Sequence, residues 1–369
     1  MGKSKIGLVV HDFDRRFGHG RYAVELATRL IDGYEFHIFS NTFDEDPREG
    51  WVFHRVPAYR RRALSSILTF SLTVDSMIAK VGCDLVHSQG LCSWRADLIT
   101  AHICVAKMIR QIPNQSPKEH LSRRVMASAE KFFYDRNPQA AVVAVSKSVQ
   151  EDLLRDYGSR HRTDVVYHGV DAETFCPAGT QGERQRLRSR YGIDESRTTW
   201  LFIGEASKGL EEALQLLAEH PEASLLVISR SSCEPYERRA VGLGVRDRFH
   251  FYGFESEVQD VYKAVDILVY PSRYDSFGMV VTEAMAAGVP VIVDSRIGAS
   301  EIIESGRSGF VVDFDDLENV SNILRRLHDD RECRMAVGSE ARRKAMEHSW
   351  SYCAERTGEI YERELCRLK

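Results

Sequence analysis

The chain of 369 residues carries 50 Lys+Arg against 54 Asp+Glu, a formal net charge of −4, and 43% of its residues are hydrophobic. That length exceeds what one hydrophobic core normally spans, so two domains are expected. The near balance of charge argues against a general nucleic-acid binder, and no apolar run approaches the roughly 20 residues a bilayer-spanning helix needs.

The first element is an apolar strand, KIGLVV at 5–10, followed by the loop HDFDRRFGHGR at 11–21 and a helix, YAVELATRLI at 22–31. Apolar residues at Tyr22, Leu26 and Leu30, and at Val24, Ala27 and Ile31, give that helix a face to pack on a sheet. Further strands are expected at 34–40 (YEFHIFS), 83–89 (CDLVHSQ), 97–103 (DLITAHI), 140–146 (AAVVAVS) and 164–169 (DVVYHG), with helices between. The stretch CPAGTQGERQR at 176–186 reads as an interdomain linker. A second α/β series then runs through TTWLFIG, ASLLVIS, DRFHFYG, AVDILVYPS, VPVIVD and SGFVVD, and a last helix starts near Trp350. Strands alternating with helices predict two doubly wound parallel sheets of the Rossmann kind.

Eight cysteines are scattered without a C-x-x-C pair, and no secretory leader is read at MGKSKIGLVV. They are expected to be reduced cytosolic thiols, with no zinc site.

The segment YPSRYDSFGMVVTEAMAAGVPVIVD, from Tyr270 to Asp294, carries the most chemistry. Asp275 lies in a loop after a buried strand, and Glu283 is eight residues on, inside a helix. Ionised carboxylates accept hydrogen bonds from hydroxyls, and backbone N–H groups at a helix start receive anions. Phe277, Gly278 and Met279 would supply those N–H groups. Together they favour a ligand with both hydroxyls and phosphate. Asp275-x7-Glu283, with AMAAGVPVIV and GASEIIESGRSGFVV after it, resembles the nucleotide-sugar signature of retaining GT-B glycosyltransferases of family 4. The family usually has Glu-x7-Glu, so Asp275 is shorter by one methylene.

The resemblance implies two Rossmann-like domains facing across a cleft. Residues 1–176, with a terminal helix at about 348–369 packing back on them, would bind the acceptor, and 177–347 would bind the donor. It further implies transfer, with retention and without a metal or other cofactor, of a sugar from a nucleotide diphosphate sugar to an acceptor hydroxyl. Synthesis of surface polysaccharide or glycolipid is the expected setting. Glu283 would take the ribose hydroxyls and Asp275 the donor sugar. Lys208, in GEASKG after the TTWLFI strand, would meet the diphosphate. The family usually pairs that lysine with an arginine, where this chain has Glu205 and Ser207, so Arg230 or Arg273 is the expected substitute. Gly18 and Gly20 would face the donor phosphates, His102 would act near the donor sugar, and His168 and Glu301 would border the site.

Tyr59, Arg60, Arg61, Arg62, Lys118, Arg123 and Arg124 form a basic group that would suit an anionic carbohydrate, glycolipid or small-molecule acceptor. A cytoplasmic protein with peripheral contact on the inner face of a membrane fits that set. Two alternatives stand beside the transferase: a non-catalytic nucleotide-sugar-binding homologue, and an NAD-dependent Rossmann oxidoreductase using the Gly18 loop, where Ala23 holds the third glycine position of G-x-G-x-x-G.

Overall fold

The computed structural model of the chain describes residues 2–16, 18–59, 63–111, 117–158 and 161–369. Two compact units emerge: Met1–His168 with Trp350–Lys369, and Gly169–Ser349. Residues 169–176 fall with the second unit because Val170 and Phe175 are buried in its core.

In the first unit, seven strands form one parallel sheet in the order Trp51–Arg55, Tyr34–Ser40, Ser4–Val9, Leu85–Gln89, Leu98–Ala101, Ala141–Ala144, Thr163–Val165. The inner strands place apolar residues on both faces of the sheet, as its burial requires: Ile6, Leu8, Phe36, Ile38, Leu98 and Ile99 are fully buried. Trp51–Arg55 is an edge strand whose mixed sequence, WVFHR, carries too weak an apolar signal to be read in advance. The Trp350–Leu368 helix packs on this unit, where Tyr361 OH meets His87 Nδ1 at 2.7 Å and Arg162 meets the buried Glu364 carboxylate at 2.9 Å.

The second unit holds a six-stranded parallel sheet, ordered Phe249–Tyr252, Ala223–Ile228, Thr198–Ile203, Ile267–Tyr270, Val291–Asp294, Phe310–Val312. Part of the expected linker is a helix, Gln181–Arg190. Thr180 caps it by accepting from the Glu183 N–H, and the Glu183 carboxylate reaches back to the Gly179 N–H, a form of capping box already spelled by T-x-x-E. The buried Arg188 and its neighbour Arg184 tie the helix to Asp266 beneath the sheet.

In each sheet the chain runs outward to one edge, then returns to the middle and builds the other. The reversal separates Ser4–Val9 from Leu85–Gln89 in the first unit and Thr198–Ile203 from Ile267–Tyr270 in the second. Such a point opens a crevice at the carboxyl ends of the strands, where ligands of doubly wound sheets bind.

Gly209 closes the loop after Thr198–Ile203 with φ +101°, and a Cβ there would lie 2.6 Å from Pro271 Cβ and 2.8 Å from Pro271 O. Gly209→Ala should therefore cost about 2–4 kcal/mol, about 1 from the left-handed backbone and the rest from overpacking. Urea denaturation of the variant measures it, and a midpoint equal to wild type would contradict this packing.

Candidate functional site in the second unit

The crevice of the second sheet is built from two strand ends. Thr198–Ile203 runs into Gly204 and a short 3₁₀ helix, Ala206–Lys208, while Ile267–Tyr270 runs into Pro271 and the loop that carries Asp275. Because these strands are neighbours, their loops meet, and Lys208 Nζ lies 2.6 Å from Asp275 Oδ2. Tyr270, the last residue of its strand, completes a triangle: its hydroxyl donates to Asp275 Oδ2 at 2.8 Å and accepts from Lys208 Nζ at 3.2 Å.

Burial alone would raise the Asp275 carboxyl. The Lys208 charge, with hydrogen bonds from Lys208, Tyr270 and the Phe277 N–H, outweighs it and holds the group below the usual carboxylate range. Burial would likewise lower Lys208, yet interaction with Tyr270 and Asp275 raises it. Both groups therefore stay charged at neutral pH. A third of the Lys208 side chain and 15% of that of Asp275 are exposed, so a ligand can reach the pair.

The turn after Asp275 departs from expectation in one respect. The Phe277 N–H is spent on Asp275 Oδ1 at 3.2 Å and so serves the carboxylate. Gly278 adopts φ +94° and opens the Met279–Ala286 helix, leaving Met279 as its first residue. The GASE segment docks directly on this loop: the Gly298 N–H donates to Asp275 O at 3.0 Å and the Ala299 N–H to Phe277 O. Glu301 is half-buried in the Gly298–Ile302 turn. Glu283, buried within the Met279–Ala286 helix, accepts from Tyr262 OH at 2.9 Å, which fixes its carboxylate.

The two expected arginine substitutes make contacts of their own. Arg273 pairs with Asp315 at 2.6 Å and Glu212 at 3.6 Å. Arg230 is exposed past the Ala223–Ile228 strand, with its guanidinium 4.5 Å from the Phe254 ring centroid. Glu205 accepts from the Ser231 hydroxyl at 3.1 Å, a contact that draws its carboxylate to Ser231, and Ser207 is exposed.

In the first unit, Gly18, His19 and Gly20 form the first turn of the Gly18–Arg29 helix and not a separate loop. A Cβ on Gly20 would lie 2.5 Å from both Asp12 O and Asp14 O, so this glycine is required by packing against backbone. Gly18 is exposed at the helix start, where first-turn N–H groups have no acceptor within the helix. His102 is buried, with Nε2 2.8 Å from Gln89 Oε1, Nδ1 3.3 Å from His168 Nε2, and the His19 ring stacked on it at 4.3 Å. Burial, and then the neighbouring histidines, hold His102 well below the usual histidine range, so it is neutral. Gln89 sets its tautomer: an amide NH2 facing His87 leaves its oxygen to accept from His102 Nε2–H, so Nδ1 is the acceptor. Arg60, Arg61 and Arg62 lie outside the described residues, as does the Lys118 side chain; Tyr59 and Arg124 are exposed. Sequence reasoning missed Tyr270 and Gln89, which it placed only in strands, and Tyr262, to which it gave no role.

Comparison with known proteins follows the same division. The profile "Glycosyltransferase Family 4" matches residues 18–174 and "Glycosyl transferases group 1" matches residues 183–344. This chain belongs to the family 4 glycosyltransferases. A D-inositol 3-phosphate glycosyltransferase of Corynebacterium glutamicum is 29% identical, over 85% of this chain and 79% of its own length. The crystal structure of WaaG, a glycosyltransferase involved in lipopolysaccharide biosynthesis, superposes with a TM-score of 0.82 at 20% identity, covering 96% of this chain and 99% of that one. Anabaena HepE in complex with UDP-glucose superposes at 0.75 with 17% identity, covering 97% and 99%. These likenesses assign the GT-B fold and leave the NAD-dependent oxidoreductase and the non-catalytic homologue without support. Among the described residues, no helix of this glycosyltransferase is long and apolar enough to cross a membrane.

Lys208→Met would leave the Asp275 carboxylate without its cation. The cost should be about 1–3 kcal/mol, less than for a fully buried pair because Lys208 is partly solvated. Since the folded Asp275 value is depressed, its contribution to stability is complete above the unfolded value near 3.9 and is lost as pH falls through the lower folded value. Melting of wild type and Asp275→Asn across an acid series should show a gap that closes on acidification. A gap that is constant with pH would contradict the ion pair.

Proposed function

We propose that this family 4 glycosyltransferase moves a sugar, with retention of configuration and without a divalent metal, from a nucleotide diphosphate sugar to an acceptor hydroxyl. The observation that carries this reading is the Lys208–Asp275–Tyr270 triangle at the crevice of the second sheet. When the sugar–phosphate bond breaks, negative charge grows on the leaving diphosphate. Lys208 is the fixed cation that receives it, the task a metal performs in other transferases. Asp275 is ionised and accepts from a donor-sugar hydroxyl through Oδ1, the oxygen that Lys208 does not hold. Glu283, oriented by Tyr262, accepts from the ribose hydroxyls. Met279 at the helix start, Gly18 and Gly20 at the other helix start, and the exposed Arg230 complete the donor contacts in this reading. Neutral His102 offers a polar group near the donor sugar.

Asp275 Oδ2 already takes two hydrogen bonds, an arrangement suited to holding a hydroxyl and not to attacking a sugar carbon. The leaving phosphate therefore receives the acceptor proton, and no glycosyl-enzyme forms. The UDP-glucose complex of HepE supports the donor class, and the role printed for WaaG supports surface polysaccharide or glycolipid as the product class. Eight free cysteines favour a reducing cytoplasmic location, with peripheral membrane contact where the acceptor is lipid-linked.

Thermal melting against UDP-, GDP-, ADP- and dTDP-sugars and NAD tests the donor site. One nucleotide sugar at 100 times its dissociation constant should stabilise wild type by about 2.7 kcal/mol and fail to stabilise Glu283→Ala. Stabilisation by NAD alone, or by nothing, would sink the reading. Turnover should survive EDTA, and a glycosylated Asp275 in a mass spectrum would overturn the non-covalent route.

A further inference from the structure

The reversal point of the first sheet also opens a cavity, of about 590 Å3, at the carboxyl ends of its strands. His11 enters it from beyond Ser4–Val9, and Gly90, Leu91 and Cys92 from beyond Leu85–Gln89. The location matches the Lys208 crevice of the second sheet, but the chemistry differs. Leu91, Ile103, Val105, Met108 and Met126 make its walls largely apolar, a lining poorly suited to a bare sugar and well suited to hydrocarbon or an aromatic ring.

Among the described lining residues, one arginine faces this apolar space. Arg123, on the Pro117–Arg136 helix, lines the cavity, and its Nη1 is buried with no hydrogen-bond partner among the described residues. A buried guanidinium N–H without an acceptor is costly, and an anion supplied by a ligand would satisfy it. Glu130, a carboxylate in the lining, is committed elsewhere: it accepts from the Val105 N–H at 2.7 Å and from Tyr157 OH. Burial pushes it up to about 7, which reduces its negative charge at neutral pH. Asp12 is likewise engaged, by His11 and by the Thr42 hydroxyl. His102 and Gln89 supply the polar end of the same cavity.

We propose that this cavity is the acceptor site and that it takes a molecule with an apolar body and one anionic group, the body against Met108 and Met126 and the anion on Arg123. The word acceptor rests on the glycosyltransfer reading; the ligand class rests on the cavity alone. Membrane-anchored phosphates and small apolar phosphate esters share this chemistry, and inorganic phosphate has only its anionic part.

Isothermal titration of hexyl phosphate, hexanol and inorganic phosphate into the full-length protein tests it. Hexyl phosphate should bind at least ten times more tightly than either fragment. Arg123→Gln should reduce it to the level of hexanol, and Met108→Gln/Met126→Gln to the level of inorganic phosphate, with melting temperatures preserved. Inorganic phosphate binding as tightly as hexyl phosphate, or no loss in folded Arg123→Gln, would overturn the proposal. The donor-induced melting shift of the same variants separates the two readings. If the shift is intact and hexyl phosphate fails to bind, the acceptor inference falls and glycosyl transfer stands. If hexyl phosphate binds as expected but no nucleotide sugar shifts wild type, the ligand class stands and the donor reading falls.

Discussion

A parallel sheet that starts in its middle must reverse once, and the two loops that leave the strands at that reversal diverge above a crevice. Both units of this glycosyltransferase obey that constraint, and the groups with chemistry stand at the two crevices. In the second unit the reversal makes Thr198–Ile203 and Ile267–Tyr270 neighbours, so Lys208 meets Asp275 although 67 residues separate them. In the first it opens a cavity between loops from Ser4–Val9 and Leu85–Gln89. The same topological rule thus yields a charged crevice in one unit and an apolar one in the other, according to the side chains each strand end delivers.

The Lys208–Asp275–Tyr270 triangle also illustrates how a site is held ready. Taking the carboxylate out of water is unfavourable, and the lysine, the phenol and the Phe277 N–H offset that cost without closing the site. Loop geometry then follows from the same contacts. Gly209 must be glycine because the Lys208 loop lies against the Pro271 backbone, and Gly278 because the turn that delivers Asp275 needs a left-handed residue before the helix. Glu283 depends on a separate partner, Tyr262 of the Val258–Ala264 helix, so the two carboxylates of the motif are fixed independently.

The first unit uses hydrogen bonds where the second uses charge. Tyr361, His87, Gln89, His102 and His168 form a buried chain whose donors and acceptors alternate in one direction. Burial pushes His87 down to about 3 and holds His102 well below the usual histidine range, so these two rings stay neutral at physiological pH. Because Tyr361 lies on the Trp350–Leu368 helix, that last segment is linked to His102 through His87 and Gln89.

The sequence by itself determined the alternation of apolar strands and amphipathic helices, the two parallel sheets, the D-x7-E unit and its family, and the place of Lys208 just past a strand. These are local properties: burial on both faces forces continuous apolar runs, and the glycine and carboxylate spacings lie within one strand–loop–helix unit. Tertiary structure alone decided which side chains meet. The pairing of Lys208 with Asp275, the Tyr270 and Tyr262 hydroxyls that complete the carboxylates, the diversion of Arg273 to Asp315, and the cavity behind Arg123 all depend on which strands become neighbours. Residues far apart in the chain become partners only when the sheet order is set, and no spacing along the sequence encodes that order.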